Sequence, residues 1–381
     1  MRQPIKRKIA EANNTSENIY SLVVDGSNLL KISFVDKRMN GDGKEYGAVF
    51  TFIRKLGVIL SKKDFNYCVV CWDKSNSGVL RWQYYKDYKA NRDKNYGIKS
   101  EYDRTLEEFQ RAVISHSRSK RAESDEESFE RQKLLIQNML EELCIRQYEY
   151  NDVEGDDIIA NYVKNREENE KVVIVSSDRD LTQLICDNVI IFNPKGNKFI
   201  TKDNSVKELG ITHENIVIEK MICGDMSDNI KGVKGVGRQT LVKLFPEIIE
   251  NKADLKAVIA RSRELLDGRK AAGQKPLKSL ENIVNGVTDG CQGDSLYEIN
   301  RKIIDLSEPL LTDEAADDME STMHCPMDTS DRDIRNVYKM IESNGMYDLL
   351  DEERFGDVFG PYGRIIMMEK RRFKKFATEK L

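Results

Sequence analysis

The stretch Lys171-Val-Val-Ile-Val-Ser-Ser-Asp-Arg-Asp180 combines the two features that decide the fold. It begins with a short apolar run rich in β-branched residues, which predicts a buried strand. It ends in two aspartates that follow the strand directly. Three more runs of this kind precede it, at residues 19–24, 67–71 and 144–148. The sequence therefore predicts four buried strands.

Segments with helical periodicity separate these strands. Apolar residues recur at helical spacing within residues 48–60, 129–143 and 158–163. Strands that alternate with helices predict an α/β domain, in which a mostly parallel sheet is flanked by helices on both faces. Ligands of such sheets bind beyond the carboxyl ends of the strands. We expect the functional site there.

Acidic residues follow every predicted strand. The set comprises Asp25, Asp73, Glu154, Asp156, Asp157, Asp178 and Asp180, and a later pair, Asp225 and Asp228, stands at helical spacing. A single acidic residue is usually a solvated surface group, but two carboxylates about 4 Å apart repel by about 4 kcal/mol at an effective dielectric constant of about 20. Convergence of the set would therefore need divalent cations, and an all-oxygen set favours Mg²⁺ or Mn²⁺ over zinc.

Other catalytic chemistries lack candidates. The chain has three histidines, none in a cluster, and it contains neither a Ser nucleophile elbow nor a Walker A motif. Cys68 and Cys71 have a C-x-x-C spacing, but residues three apart in a strand face opposite sides, which disfavours a zinc site. Two hard cations suit the in-line hydrolysis of a phosphodiester. The residues thus predict metal-dependent phosphodiester hydrolysis.

The composition predicts a folded intracellular protein. With 381 residues and 39% hydrophobic content, the chain can form one large and one smaller domain. No apolar run approaches the roughly 18 residues of a membrane span, and residues 1–18 lack the apolar stretch of a secretion signal. The seven cysteines are an odd number, which is typical of reduced thiols. We expect a cytoplasmic protein without a membrane segment.

Basic residues are unevenly distributed along the chain. The net charge is −4, yet residues 81–121 carry eleven Lys/Arg against six Asp/Glu. Residues 231–243 contain four basic and no acidic residues, and residues 364–381 contain seven basic against two acidic. Such local clusters are typical of nucleic-acid contacts even when the total charge is negative.

Six motifs occur in a fixed order between about residues 20 and 310. They are Asp25-Gly-Ser-Asn28, Trp72-Asp73, Tyr88-Lys-Ala-Asn-Arg92, Glu154-Gly-Asp-Asp-Ile-Ile-Ala160, Ser177-Asp-Arg-Asp-Leu-Thr-Gln-Leu184 and Gly224-Asp-Met-Ser-Asp-Asn-Ile-Lys-Gly-Val-Lys-Gly-Val-Gly237. Each is weak alone, but the ordered series resembles the flap endonuclease or 5′-3′ exonuclease family of PIN-like 5′ nucleases. The resemblance is greatest to bacteriophage members such as phage RNase H.

The resemblance implies a domain organisation. Residues 19–225 would form a PIN-like, Rossmann-like catalytic domain with a helical arch at 93–130, and residues 226–310 a smaller helix-hairpin-helix (H3TH) domain. We expect a disordered tail at residues 1–18 and a helical segment with a basic tail at 334–381. The acidic, apolar-poor residues 311–333 and the weakly periodic residues 268–294 predict linkers or loops.

The resemblance also implies roles for individual residues. Two metal ions are expected, the first held more tightly by Asp25, Asp73, Glu154, Asp156 and Asp157, and the second by Asp178, Asp180, Asp225 and Asp228. Lys89 would reach the scissile phosphate with help from Arg92, and Arg81 occupies a similar basic position. Lysine supplies a point charge and arginine a planar fork of donors, and both suit a phosphate.

The glycine-rich stretch after the last acidic motif resembles the helix-hairpin-helix of the same family. Its expected DNA-binding residues are Gly232, Lys234, Gly235, Gly237 and Arg238. Glycines permit positive φ and a close approach of backbone N–H groups to a phosphate, which a following helix N-terminus also attracts. The resemblance implies that this element binds duplex backbone without reading sequence, and that it can hold a K⁺ ion.

Four positions depart from the family pattern. Gly155 stands where Ala is common, and Lys231 and Lys234 replace residues that are frequently Pro. Arg179 lies between the two aspartates of its motif, where it either points outward or partly neutralises the second metal site. None of the departures removes a carboxylate.

The function implied is a 5′-3′ exonuclease and flap endonuclease that acts on branched or nicked DNA and on RNA-DNA hybrids, and so removes primers in phage DNA replication. We expect a monomer. The tail at residues 368–376 would contact DNA, a sliding clamp or a single-strand-binding protein, or remain solvated. Two alternatives are a non-catalytic DNA-binding protein, which loss of carboxylates would indicate, and a PIN-type ribonuclease, which normally lacks the hairpin.

Overall fold

The structure is a computed structural model that describes residues 18–74, 76–91, 123–288 and 294–379. Some predictions lie outside these ranges. They concern Arg92, the expected tail at residues 1–17 and the part of the expected arch at residues 93–122.

The central element is a six-stranded sheet with the strand order β3-β2-β1-β4-β5-β6. Its strands are β1 (Ile19–Asp25), β2 (Tyr67–Cys71), β3 (Arg146–Tyr148), β4 (Glu170–Val175), β5 (Val189–Asn193) and β6 (Lys198–Ile200). The first five are mutually parallel, and β6 is antiparallel to β5. All four predicted strands are present. The chain turns to the other side of β1 when it enters β4, so the reversal in strand order lies between β1 and β4.

Helices surround this sheet and continue beyond it. In the first part of the chain they are α1 (Gly26–Ser33), α2 (Gly47–Leu60), α3 (Val79–Trp82), α4 (Asp125–Glu142), α5 (Gly155–Lys164), α6 (Ser205–Leu209) and α7 (Ile216–Cys223). A short antiparallel pair, β7 (Gly224–Asp225) and β8 (Ile230–Lys231), follows. The later helices are α8 (Arg238–Leu244), α9 (Leu255–Ala271), α10 (Lys278–Asn285), α11 (Asp294–Ile304), α12 (Asp313–Thr322), α13 (Ile334–Ser343), α14 (Glu352–Phe359) and α15 (Gly363–Glu379).

Two hydrophobic cores cover the two faces of the sheet. Alternate residues of β1 point to opposite faces: Val23 packs in the core that contains α5, and Leu22 and Val24 pack in the core that contains α2. This burial explains why the strands are apolar runs without polar alternation. The mostly parallel α/β sheet with flanking helices is confirmed.

The loop predictions for residues 311–333 and 268–294 are wrong in part. Residues 313–322 form α12, whose Ala315 and Met319 are fully buried. Within 268–294, α9 extends to Ala271 and α10 buries Leu280. Ala315 and Met319 stand four apart, which places them on one helical face. The linker prediction relied on the acidic composition and overlooked this helical spacing of the apolar residues.

A buried polar network connects the sheet to the segment after α12. Glu170, at the start of β4, is fully buried and accepts hydrogen bonds from Tyr162 Oη at 2.8 Å and His324 Nε2 at 3.0 Å. Farther along the chain, Tyr362 donates to the carbonyl of Ile53 in α2 at 2.6 Å. The last helices therefore pack against the core of the sheet. Within the described residues, no helix is both long and apolar enough to cross a membrane.

Candidate active site

Two aspartates at the carboxyl ends of adjacent strands begin the site. Asp25 is the last residue of β1 and caps α1, accepting from the backbone N–H of Asn28 at 2.9 Å and from Ser176 Oγ at 2.8 Å. Asp73 follows β2, and its Oδ1 accepts the backbone N–H of Gly155 at 2.8 Å. These bonds fix both carboxylates at the same edge of the sheet, as the sequence predicts.

Gly155 permits the close approach of α5 to Asp73. A Cβ atom at this position would lie 3.3 Å from Asp73 Oδ1, closer than most Cβ contacts. The glycine therefore leaves room for the carboxylate that accepts its N–H. This departure from the family pattern is consistent with an intact site.

Asp156, in the first turn of α5, joins the same group of carboxylates. Burial raises its pKa well above the usual value, and the negative charges of Asp178, Asp25 and Asp73 raise it further. Burial also raises the pKa of Asp25 to about 7, with an added effect of Asp73. Asp25, Asp73, Asp156 and Asp178 therefore repel one another in the folded chain, and we call the first three of them the first cluster.

Asp157 turns away from the first cluster. Its carboxylate accepts hydrogen bonds from both terminal nitrogens of the Arg81 guanidinium, the one from Nη2 at 3.2 Å. It also accepts a hydrogen bond from the backbone N–H of Leu310 at 2.9 Å. Arg81 Nε donates to the carbonyl of Ile303 at 2.9 Å. Both side chains are almost fully buried. The pair joins α5 to the helical region near α11, and it leaves Asp157 with few free lone pairs.

Glu154 is held by cations and a phenol. Its Oε1 lies 2.5 Å from Lys89 Nζ, and its Oε2 lies 3.0 Å from both Tyr88 Oη and Arg81 Nη1. Burial opposes ionisation of Glu154, but Arg81 and Lys89 outweigh it and lower the pKa. The structure thus places Lys89 beside the carboxylates, although its ammonium is bound to Glu154.

A second cluster is formed by Asp180, Asp225 and Asp228. One oxygen from each lies within 4.8 Å of the others. Burial raises the pKa of Asp180 to about 6, although Lys220 opposes the shift. The pKa of Asp225 falls to about 2, because hydrogen bonds from Lys220 and Ser227 outweigh its burial. Asp178, predicted with this group, is exposed and adds its charge to both clusters.

Arg179 points away from both clusters. Its guanidinium donates to the two carboxylate oxygens of Glu219 on α7 at 3.1 and 2.6 Å. Arg238 Nε also lies 3.3 Å from Glu219, and its Nη2 donates to the carbonyl of Leu209. Of the two orientations open from the sequence, the structure has the outward one. Arg238, predicted to bind DNA, is partly engaged by the protein itself.

Sequence reasoning missed two residues of α7: Lys220, which pairs with Asp180 and Asp225, and Glu219, which binds Arg179 between the two aspartates of its motif. They are adjacent charged residues in the otherwise apolar run of α7. Two charged residues inside an apolar helical run are a signal from which the sequence analysis could have identified them. Their partners lie in other elements, so the spacing alone did not identify them.

Comparison with known families agrees with this geometry. A family model described as the 5′-3′ exonuclease, N-terminal resolvase-like domain matches residues 20–217, just over half of the 381 residues. The chain belongs to the 5′-3′ exonuclease family. The match covers every predicted metal ligand except Asp225 and Asp228.

Curated relatives of this exonuclease-family chain share moderate identity. Thermostable DNA polymerase I of Thermus caldophilus is 29% identical over 59% of this chain, and the aligned region covers 24% of the polymerase. A 5′-3′ exonuclease of Aquifex aeolicus is 27% identical over 58% of this chain and 68% of that protein. The chain therefore spans about a quarter of the polymerase relatives that it matches.

Solved structures share the fold. The 5′-exonuclease of T5, described with bound zinc, has a TM-score of 0.56 at 19% identity and covers 79% of this chain and 97% of its own. The bacteriophage T5 flap endonuclease in a complex with DNA and metal ions has a TM-score of 0.53, also at 19% identity, covering 85% and 99%. At this identity the similarity shows a common fold.

The hairpin of this exonuclease-family chain follows the second cluster. Of the three glycines that permit a positive φ in the hairpin, Gly235 adopts one, 75°, whereas Gly232 and Gly237 do not. Gly232 is required for a different reason, because a Cβ there would lie 2.2 Å from the carbonyl carbon of Cys223. Lys234 is exposed, and its backbone N–H donates to the carbonyl of Val287 at 2.8 Å.

The donor set fits divalent cations. Both clusters offer carboxylate oxygens, which hard cations prefer. The first cluster is electrostatically unfavourable without a positive charge, as the raised pKa of Asp25 and of Asp156 indicates. Charge repulsion that lowers the stability of the metal-free protein in this way is typical of a functional site.

Proposed function

We propose that this chain is a divalent-metal-dependent 5′-3′ exonuclease and structure-specific flap endonuclease. The observation that carries the proposal is the convergence of Asp25, Asp73 and Asp156 at the carboxyl ends of the strands, where they repel one another. A retained but inactive fold would have no reason to preserve this repulsion. Membership of the 5′-3′ exonuclease family supports hydrolysis of nucleic-acid phosphodiesters.

The first cation would be held by Asp25, Asp73, Asp156 and Glu154, and the second by Asp178, Asp180, Asp225 and Asp228. Two Mg²⁺ ions, or Mn²⁺ in their place, would supply an activated water and stabilise the charge on the attacking and leaving oxygens. Asp157, although predicted as a ligand, would orient α5 through Arg81. Arg81 accordingly acts by positioning Glu154 and Asp157, since its guanidinium contacts both.

Lys89 would bind the scissile phosphate, assisted by Arg92. Its ammonium lies 2.5 Å from Glu154, and its side chain remains partly exposed, so the group can reach a substrate at the cluster. Lys89 also donates its backbone N–H to the carbonyl of Asp228 at 2.8 Å, which ties it to the second cluster. A fixed cation of this kind stabilises the charge that develops in the transition state and contributes strongly to the rate of hydrolysis.

The substrates would be flap, nicked and branched DNA and RNA-DNA hybrids. In this proposal, residues 19–225 are the catalytic domain and residues 226–310 bind the duplex through the hairpin at Gly232, Lys234, Gly235, Gly237 and Arg238, with a K⁺ ion there. Exposed Lys234 supports a contact to the phosphate backbone. The proposed setting is primer removal in phage DNA replication in a host cytoplasm, by a monomer whose basic tail contacts a single-strand-binding protein or a sliding clamp.

The test is cleavage of three 5′-labelled substrates: a flap, a nicked duplex and an RNA-primed duplex. Each is incubated with Mg²⁺ and with EDTA. We expect products that shorten the 5′ end with Mg²⁺ and none with EDTA, and loss of these products in Asp156→Asn. If no substrate yields a metal-dependent product, the proposed activity is wrong. A single-stranded RNA is added as a fourth substrate, and cleavage of it with none of the other three would instead favour a PIN-type ribonuclease.

A further inference from the structure

Lys220 places an ammonium group within the second cluster. It lies in the last turn of α7, and its Nζ is 2.5 Å from Asp225 Oδ2 and also ion-paired with Asp180. Its side chain is only 12% exposed. Lysine is rarely buried unless it is paired, so the two aspartates hold it in this position.

The same two aspartates are potential ligands of a divalent cation. Asp180, Asp225 and Asp228 each offer an oxygen within 4.8 Å of the others, a spacing that one cation can bridge. A Mg²⁺ ion needs close approach, about 2.1 Å, to each oxygen that it binds. An ammonium and a divalent cation cannot both occupy these lone pairs, and their charges repel one another.

The surroundings keep Lys220 in place while the site lacks a divalent cation. Positive charge is favourable near the C-terminus of a helix, where Lys220 lies. Its neighbour Glu219 is bound to Arg179 and Arg238, which orients this turn of α7 toward the cluster. Asp225 is fixed on its other oxygen by Ser227, whose N–H and Oγ donate at 2.8 and 2.6 Å.

We propose that Lys220 is a built-in counter-cation of the second metal site, which neutralises Asp180 and Asp225 until a divalent cation displaces its ammonium. This inference rests on the proposed metal-dependent function and adds a regulatory element to it. Because the second cation must compete with Lys220, it binds more weakly than the first. The carboxylates of the second site also stay paired when metal is scarce.

The test is a Mn²⁺ titration of the metal-free full chain, without DNA, by isothermal calorimetry. In wild-type protein we expect one tighter and one weaker site. Lys220→Met removes the charge and keeps an unbranched side chain, so the weaker site should gain at least tenfold in affinity while the tighter site is unchanged. Lys207→Met, on an exposed face of α6, is the matched control and should resemble wild type. An unchanged or weakened second site in Lys220→Met would overturn the proposal.

A second measurement uses the wild-type protein, so its result does not depend on whether Lys220→Met folds correctly. The lysine ¹³Cε resonances are followed by NMR during a Mg²⁺ titration, and the conservative Lys220→Arg assigns the signal. We expect the Lys220 resonance to shift with the second equivalent and not with the first, and a resonance that never shifts would contradict displacement. The proposed nuclease activity can fail independently of this inference. If the wild-type protein binds two Mn²⁺ ions but cleaves no substrate, the nuclease activity is refuted and the displacement of Lys220 still stands.

Discussion

The guanidinium of Arg81 and the carboxylate of Asp157 form a two-pronged ion pair whose side chains are 5% and 1% exposed. The partners lie 76 residues apart in the chain. Arg81 also contacts Glu154, the N-cap of α5, and the carbonyl of Ile303, so one side chain connects the N-terminal end of α5 to α11. This contact joins the candidate active site to the helical region that follows the hairpin.

Loss of Arg81 should destabilise the protein. Arg81→Ala leaves Asp157 buried without its partner, and breaking a buried pair in this way costs about 3 to 5 kcal/mol. We expect that decrease in the free energy of unfolding, measured by urea titration. Arg54→Ala, at an exposed position on α2, should change it by less than about 0.5 kcal/mol. Unchanged stability combined with lost cleavage would assign Arg81 to the substrate instead.

The stability of the metal-free protein should fall as the pH rises through neutrality. The pKa of Asp25 is about 7 in the folded chain against the ordinary 3.8, so its protonated form favours folding. The stabilisation that comes from the protonated Asp25 is fully present below about pH 3.8 and is lost as the pH rises through about 7.

The measurement is the melting temperature in EDTA between pH 5 and pH 8. Asp25→Asn should flatten the decrease, since it removes the titrating group at nearly constant size. Added Mg²⁺ should also flatten it by supplying the compensating charge. An identical slope in wild type and Asp25→Asn would contradict the assigned shift.

Glu219 should protect the second cluster from Arg179. Glu219→Gln releases the Arg179 guanidinium, which is adjacent in sequence to Asp178 and Asp180. We expect the variant to need several-fold more Mg²⁺ for half-maximal cleavage of a nicked duplex. Adding Arg179→Ala should restore the wild-type requirement, whereas Glu250→Gln at an exposed position should have no effect. Failure of Arg179→Ala to restore it would show that Glu219 acts by another route.

Lys89 should matter for cleavage and little for folding. Lys89→Ala removes a fixed cation from the cluster, and loss of such an electrostatic contact typically reduces kcat by about 10² to 10³. Glu154 keeps Arg81 and Tyr88 as partners, so the free energy of unfolding should change by no more than about 1 kcal/mol. Single-turnover cleavage of a flap measures the first effect. Lys86→Ala, which is exposed nearby, should cleave normally.

The two basic residues of the hairpin should differ in their effect on duplex binding. Lys234 is exposed, so Lys234→Ala should weaken binding and reduce the slope of log K against log salt by about 1. Arg238 is engaged by Glu219 and the carbonyl of Leu209, so Arg238→Ala should change the slope less. Fluorescence anisotropy at several salt concentrations measures both. Equal slopes for Lys234→Ala and wild type would exclude Lys234 from the interface.

Local patterns predicted the parts of the fold that depend on nearest neighbours in the chain. The β-branched runs became parallel strands because residues buried on both faces must be apolar, and Asp25 and Asp73 stand at the carboxyl ends of β1 and β2 as expected. The helix at Asp313–Thr322 was missed because acidic composition hid a pair of apolar residues spaced four apart. The sequence did not show which of Gly232, Gly235 and Gly237 adopts the positive φ that glycine permits, because the conformation of a glycine depends on what packs beside it; of the three, Gly235 does.

The sequence by itself determined four of the six strands of the sheet, their order in the chain and the supply of carboxylates at their ends. Only the tertiary structure decided which carboxylates remain free. Asp157 is engaged by Arg81, Glu154 by Lys89, and Asp180 and Asp225 by Lys220, whereas Asp25 and Asp156 face other carboxylates. Strand and helix signals are local in the chain, but an ion pair depends on distances between side chains of separate elements, and these distances exist only after the elements have packed.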